Sequence, residues 1–421
     1  ARLGQVAGKF NQLRDKVAHR ARAGIVEPAV TLEWAIDALR STAGGRSTSS
    51  PYYERLDAAL ADMPGLDNAA AEQIRERAIA LLQEQVQPAY RDLISDLEAL
   101  RPQAPSAIGV NQFEGGEAYY NWALRHHTST GQGPRKIHQT GLDEVARVRR
   151  EIDLAARDLG YPAGLGLVDL FERIAEDSGA LEEEQILLGY EQLVRDADSR
   201  LGEAFDLLPR QEVVVIGGPS GGFYVRGSED GSRPGAFYAA TTGQQPRYSM
   251  ASLAYHEAVP GHHLQIALAR EQSLPEFRRH TGNTGYIEGW ALYAERLAYE
   301  LGWYRDDPYG NLGRLQFELI RAVRLVMDTG IHHYGWSWER AVDYYRENTG
   351  TSLRTAQGNV GRFMRWPGQA TAYLVGMNRL LDMRASAGID PGDRASLQSF
   401  HRLVLGGGAM PLGILAKVVQ R

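Results

Sequence analysis

The spacing of apolar and polar positions predicts a chain that is helical over most of its length. Leu32, Ala35, Ile36 and Leu39 recur at helical spacing, as do Ile74, Ala78, Leu81 and Leu82. Residues 1 to about 102 therefore read as helices, broken by turn-forming sequence at Ser41–Ser50 and again at Arg101–Pro105. Long charged amphipathic helices resume over 135–210, of which Gly141–Asp153 is typical. The pattern changes at 211–248. Gln211–Ile216 is short and β-branched, and Gly222–Val225 and Gly235–Thr241 are similar runs between glycine-rich turns. These predict a small β-sheet over about residues 211–242. From Ser249 to Arg421 the helical spacing returns, and no internal repeat is evident. The expected fold is mainly α, with the sheet set into a helical body. Residues 1–105 are expected to form an N-terminal helical region and residues 106–421 a second one, packed together as one cleft-containing unit.

Composition narrows the chemistry. The 421 residues carry 46 Lys+Arg against 52 Asp+Glu, a formal net charge of −6. Mild acidity argues against nucleic acid as a partner, since such proteins usually carry a basic face. No apolar run reaches the roughly 18 residues of a membrane span. Ala1 opens a polar amphipathic stretch that does not read as a signal peptide, which leaves cytoplasm and export both open. Cysteine is absent, excluding disulfides, thiolate zinc modules, iron–sulfur clusters and cysteine nucleophiles. Any metal must be held by His, carboxylate, carbonyl or water, which directs attention to the 11 histidines.

The densest chemistry lies in Ala254–Gln265. His256-Glu257 opens like the HExxH zinc motif, whose histidines share one helix face at i and i+4. Here His262 is at i+6, about 240° round the helix, and His263 at i+7, about 10.5 Å along it. Neither shares a metal with His256 on a straight helix. Pro260 clashes with the carbonyl of His256, four residues back, and Gly261 is permissive. A break between Glu257 and Gly261 would put His262, or alternatively His263, in the place of the second histidine. The competing reading is a helix start at Pro260 with both histidines on the surface. A third ligand is available on the helix 286–300, where Glu288 and Glu295 share a face among Trp290, Ala291 and Leu292. Carboxylates on so apolar a helix need partners. Glu288 is the expected ligand, and Glu295 a support one or two turns further along.

At these residues the sequence resembles the bacterial family DUF885, whose signature is similar to HEAxPGHHxQ followed by EGWALYxE. The two stand here as His256–Gln265 and Glu288–Glu295. Further matches are Ala118–Tyr120, Arg125–Thr128, Gly141–Arg147, Asp230–Gly235, Arg321–His332, Pro367–Ala370 with Tyr373, and Gly408–Leu412. The resemblance covers about residues 110–421, and the first hundred residues match poorly. Leu374 and Met377 depart from it, standing where polar residues are expected. The family is similar to the helical gluzincins. The resemblance thus implies a helical body with a deep cleft, a small sheet along it, one zinc ion, and hydrolysis of peptides or related amides.

The expected roles follow. His256, His262 and Glu288 hold zinc with one position open for water, and Glu257 is the general base. The oxyanion needs a further electrophile, for which Tyr373 is the first candidate and His332 and His333 the next. Asp328, one turn before His332, would orient it. His263 would touch substrate if it is not the second ligand. Arg233, Arg362 and Arg365 are candidates for a substrate carboxylate. Tyr224 and Tyr238 lie on expected strands, where a peptide bound at the cleft edge would pair with the backbone. His126 and His127 read as core or cleft wall, and His19, His138, His280 and His401 as surface or structural. The substrate expected is a short peptide, because a deep cleft excludes folded proteins. The alternatives are a non-peptide amide, motivated by Leu374 and Met377, and a scaffold without catalysis, which the intact Glu257 disfavours.

Overall fold

The helical spacing is realised throughout a computed structural model, which describes residues 2–420. The chain divides into two units, Ala1–Ile108 and Gly109–Arg421, a boundary three residues beyond the expected one.

The first unit contains helices α1 (Val6–Arg22), α2 (Ala29–Ala43), α3 (Pro51–Ala61), α4 (Asn68–Leu81) and α5 (Gln87–Ala99). Ser50 caps α3 by accepting from the Tyr52 amide, and Asp67 caps α4 by accepting from Ala70. The apolar stripe of α2 does what its spacing predicts, with Leu32 and Ile36 packed on Leu93 and Leu97 of α5. Each such side chain contributes about 1.5–3 kcal/mol by burial. Leu82, Val86 and Tyr90 form a second cluster, where the Tyr90 hydroxyl meets that of Tyr52 at 2.8 Å.

The second unit opens with α6 (Gly116–Thr128), α7 (Pro134–Asp158), α8 (Leu167–Asp177), β1 (Ala180–Leu181) and α9 (Glu183–Arg200). The expected sheet follows as β2 (Val213–Gly218), β3 (Phe223–Val225) and β4 (Gly235–Ala240), in the order β2-β4-β3. β4 runs parallel to β2, pairing Val213 with Gly235, and antiparallel to β3, pairing Phe223 with Tyr238. The two-residue β5 (Gln245–Pro246) pairs with β1. Then come α10 (Met250–Glu257), α11 (His262–Glu271), α12 (Glu276–His280), α13 (Thr284–Glu300), α14 (Pro308–His332), α15 (Trp338–Thr349), α16 (Leu353–Arg365), α17 (Ala372–Ser386), α18 (Arg394–Leu405) and α19 (Leu412–Val419).

The core of this unit is built on α13 and α14, which are buried on nearly all sides. α7 approaches α14 through Gly141, where a Cβ would lie 2.8 Å from both Leu325 and Val326 side chains. α13 approaches α17 through paired glycines. A Cβ on Gly289 would meet the Gly376 backbone at 2.5 Å, and one on Gly376 would meet the Gly285 carbonyl oxygen at 2.0 Å. This backbone-to-backbone contact seats the two helices that carry Glu288, Glu295 and Tyr373. Among the described residues no helix is long and apolar enough to cross a membrane.

Candidate metal centre

The helix carrying His256 stops at Glu257, and a new one starts at His262. Between them Ala258 leaves helical geometry and the Val259–Pro260 peptide is cis. Gly261 folds back against the last turn of α10 so closely that a Cβ would lie 2.0 Å from the His256 carbonyl oxygen. Only glycine fits there. Trp290 of α13 donates its indole N–H to the Pro260 carbonyl at 3.0 Å, and the His263 amide reaches back to Ala258 at 3.0 Å. The S-shaped connection brings the rings of His256 and His262 together, 4.8 Å apart and nearly perpendicular.

His256 Nε2 and His262 Nε2 both face Glu288, whose Oε2 lies 3.7 Å and 3.5 Å from them. Glu257 Oε2 lies 4.0 Å from His262 Nε2. Tetrahedral zinc, with ligands at about 2.0–2.1 Å, sets neighbouring donor atoms about 3.3–3.4 Å apart. His256, Glu257 and His262 alone already offer donor atoms within 4.8 Å of one another. The shorter separations to Glu288 make His256, His262 and Glu288 the better three-ligand set, with Glu257 at its edge. All four residues are buried or nearly so, Glu288 being the most open at 19% side-chain exposure.

Behind this group, His256 Nδ1 donates to Glu295 at 2.7 Å. That bond fixes the tautomer and leaves Nε2 facing the centre. Glu295 is itself held by the Ser252 hydroxyl and by Arg321, 3.5 Å away. His262 has no such support, since its Nδ1 is buried without a protein partner. Burial disfavours charge on His256, but Glu288, Glu295 and Glu257 outweigh it and push its pKa up to about 10. Glu288, against its own burial, is held well below the usual carboxylate range by His256 and His262. The field at the centre favours a cation, and the donor set fits a divalent one.

Tyr373 of α17 lies against this group. Its ring is stacked 6.3 Å from that of His256, and its hydroxyl accepts from Arg362 at 3.2 Å. Asp328 holds the turn ahead of it by accepting from the Gly368 amide at 3.0 Å and from the Tyr120 hydroxyl at 2.5 Å. Burial pushes Asp328 up to about 7. Asp328 was expected to orient His332; no bond joins them, and it secures the Gly368 turn instead.

Other expected site residues lie outside the group. His332 is fully buried, with Nε2 donating to the Phe363 carbonyl at 3.0 Å and Nδ1 accepting from the Val110 amide at 3.2 Å. With both nitrogens committed to backbone and its pKa pulled by burial to about 4, it has no atom left for an oxyanion. His333 is half-buried against Tyr334. His263 faces the sheet, donating from Nε2 to the Gln211 carbonyl at 2.8 Å and accepting on Nδ1 from Tyr224 at 3.0 Å. It is neither a ligand nor free for substrate. Tyr238 stacks on Phe223 in β4, and β4 is the central strand, so its backbone is already paired on both sides. Arg233 is exposed and donates to the nearby Arg226 carbonyl. Arg365 donates to the Gly361 carbonyl within its own helix. Leu374 and Met377 are buried in the core, so their apolar character speaks to packing and not to substrate preference.

Two contributors escaped the sequence reading. Arg321 and Arg324 of α14 both lie over the Tyr373 ring, 5.9 Å and 4.7 Å from its centroid. Their signal was available: two arginines three residues apart, on one face of a helix whose stretch from Leu319 to Met327 is otherwise apolar.

Fold and site together define a mainly α-helical protein with a buried His–Glu–His group able to hold a metal ion. The chain belongs to the DUF885 family, bacterial proteins of unknown function, whose profile matches residues 1–419. The match therefore takes in the first hundred residues, which match the family's motifs poorly. A solved structure of a candidate lipoprotein from Colwellia psychrerythraea is similar, with 33% identity and a TM-score of 0.91 over 100% of this chain and 74% of that one. A second, a candidate lipoprotein of unknown function from Shewanella oneidensis, shares the fold at 18% identity and a TM-score of 0.73, over 100% of this chain and 77% of that one. A search of curated proteins finds none that matches this chain.

Proposed function

We propose that the chain is a zinc-dependent hydrolase that cleaves the peptide (amide) bond of short peptides. The observation that carries this is the set His256, His262 and Glu288 with Glu257 at its edge and Glu295 behind it. Two neutral imidazoles and one carboxylate are the donor set of a catalytic zinc with an open position, not of a closed structural one. When bound, the ion supplies Lewis acidity and brings the pKa of a water molecule towards neutrality. The protein's own groups do the rest. Glu257 takes the proton of the attacking water and passes it to the leaving amine. Arg362 donates to the Tyr373 oxygen, which leaves the Tyr373 O–H free to donate to the oxyanion. Glu295 holds His256 in the tautomer that presents Nε2. The resemblance of the His256–Gln265 and Glu288–Glu295 motifs to those of the gluzincins supports the same reading.

The test is a Glu257→Gln variant, with bound metal measured by mass spectrometry and cleavage followed on a panel of dipeptides and blocked peptides. Retained zinc with turnover lowered about 10²–10⁴-fold is the expected result. Full activity removes Glu257 from the reaction, and a wild-type protein that binds no zinc refutes the reading altogether.

A further inference from the structure

Beside the candidate metal centre lies a concentration of positive charge, of which the proposed hydrolytic step uses only the bond from Arg362 to Tyr373. Arg321 and Arg324 come from α14 and Arg362 from α16, and all three surround Tyr373. Arg321 is only 6% exposed, spends one nitrogen on Glu295 and another on the Phe317 carbonyl, and keeps a buried Nε without a partner. Arg362 donates to two neutral oxygens, those of Gln369 and Tyr373. Arg324 is the least satisfied of the three. Its Nε is also buried without a partner, and its guanidinium lies over the Tyr373 ring. The charged and titratable neighbours that act on it most strongly are Tyr373, Arg321, Tyr345 and Arg362, none of them a carboxylate, and burial with its cationic neighbours pulls its pKa down. A guanidinium stays protonated in proteins, so this is a partly desolvated charge that forms no ion pair with a carboxylate among the described residues.

Such an arrangement is unfavourable in the free protein and favourable when an anion arrives. The fork of a guanidinium matches a carboxylate. The distances also select where that carboxylate sits. Ring centroids of His256 and Tyr373 are 6.3 Å apart, and Arg324 lies 4.7 Å from the latter. One residue of extended chain spans about 3.3–3.6 Å, and a charged N–H···O bond adds about 2.8 Å. One extended residue and one charged N–H···O bond together reach about 6 Å, so the carboxylate nearest to a carbonyl at the metal centre, that of the next residue, is the one that first comes within reach of the arginines around Tyr373.

Building on the hydrolase reading above, we infer that Arg324, with Arg321 and Arg362 beside it, binds the C-terminal carboxylate of the substrate, which makes the reaction removal of a single C-terminal residue. The bond broken is the last peptide bond. Water adds its hydroxyl to the carbonyl carbon, its proton goes to the leaving nitrogen, and a free amino acid departs.

The experiment compares acetyl-Ala-Ala-Ala with a free C-terminal acid against the same peptide as its C-terminal amide, in cleavage by the zinc-loaded protein and in calorimetric binding to the Glu257→Gln variant. The acid is expected to be cleaved with a kcat/KM about 100-fold above the amide, releasing one alanine, and to bind the variant correspondingly tighter. Arg324→Met is expected to bring the acid-to-amide ratio towards one, mainly through KM. Equal cleavage and equal binding of acid and amide overturn the assignment, as does binding of neither peptide. If nothing is cleaved but the acid still binds far tighter than the amide, the hydrolase reading fails while the carboxylate site stands. The wild-type comparison decides the matter even if Arg324→Met does not fold.

Discussion

Glu295 does not touch the centre of the His256–His262–Glu288 group, yet its replacement should be felt there. It is 1% exposed and accepts from His256 Nδ1 at 2.7 Å, from the Ser252 hydroxyl, and electrostatically from Arg321 at 3.5 Å. Glu295→Gln can keep its carbonyl oxygen on His256 Nδ1–H and turn its amide towards Ser252, whose hydroxyl is able to accept. Geometry is then preserved and only the charge is lost. Glu295→Ala loses both, and leaves a buried donor on His256 without its acceptor and the buried guanidinium of Arg321 without its carboxylate. Groups of this kind contribute about 10–100-fold to metal affinity, or about 1.4–2.7 kcal/mol. Glu295→Gln is expected near the lower end of that range and Glu295→Ala near the upper. The assay is competition for zinc against a chromophoric chelator at fixed pH, on wild type and both variants. Affinities within twofold of one another would show that the bond to His256 does not tune the site, and the reasoning from tautomer control would fall.

Three further outcomes follow. In the metal-free protein the His256 pKa stands at about 10, above its unfolded value of about 6.5. The stability it contributes is therefore complete below about pH 6.5 and is lost as pH rises towards 10, at up to about 1.4 kcal/mol per pH unit. Glu288, held low, loses its own contribution as pH falls below its unfolded value of about 4.3. Denaturant midpoints of the metal-free chain should fall between pH 7 and 9.5, and a flat profile would contradict the assigned coupling. Gly289→Ala forces a Cβ to 2.5 Å from the Gly376 backbone and should destabilise by about 1–3 kcal/mol, or more, with weaker zinc binding, because Glu288 precedes it directly. Thermal melts and the same zinc titration check both. His332→Phe strands the Val110 amide at a cost of about 1–3 kcal/mol, while the Phe363 carbonyl keeps its bond from the Trp366 amide and zinc affinity stays at the wild-type level.

What could be read from the sequence divides along physical lines. The helices were legible because burial imposes a period on the chain, and the strands because the β-branched runs sit between glycines. His256, Glu257 and Glu288 stood out because acids and imidazoles on apolar helices need a common purpose. Pro260 and Gly261 announced a break, but not its shape. His332 and His263 misled because a buried histidine looks the same in sequence whether its nitrogens face a substrate or a backbone carbonyl. Which carbonyl lies nearby is decided by residues far along the chain, Phe363 for His332 and Gln211 for His263. Gly289 and Gly376 were invisible for the same reason, since each matters only through the other.

The connection between α10 and α11, with the Glu288 turn of α13, has a consequence beyond geometry. The residues that face the metal position all come from one contiguous stretch, His256 to Glu288, whereas Tyr373, Arg321, Arg324 and Arg362 arrive from three later helices. The residues that can hold a metal and the neighbouring Glu257 are thus written on one piece of the chain, and Tyr373 with its arginines on others. Positions on α14, α16 and α17 other than Arg321, Arg362 and Tyr373 can drift in sequence, and so change what the protein accepts, without altering the stretch from His256 to Glu288.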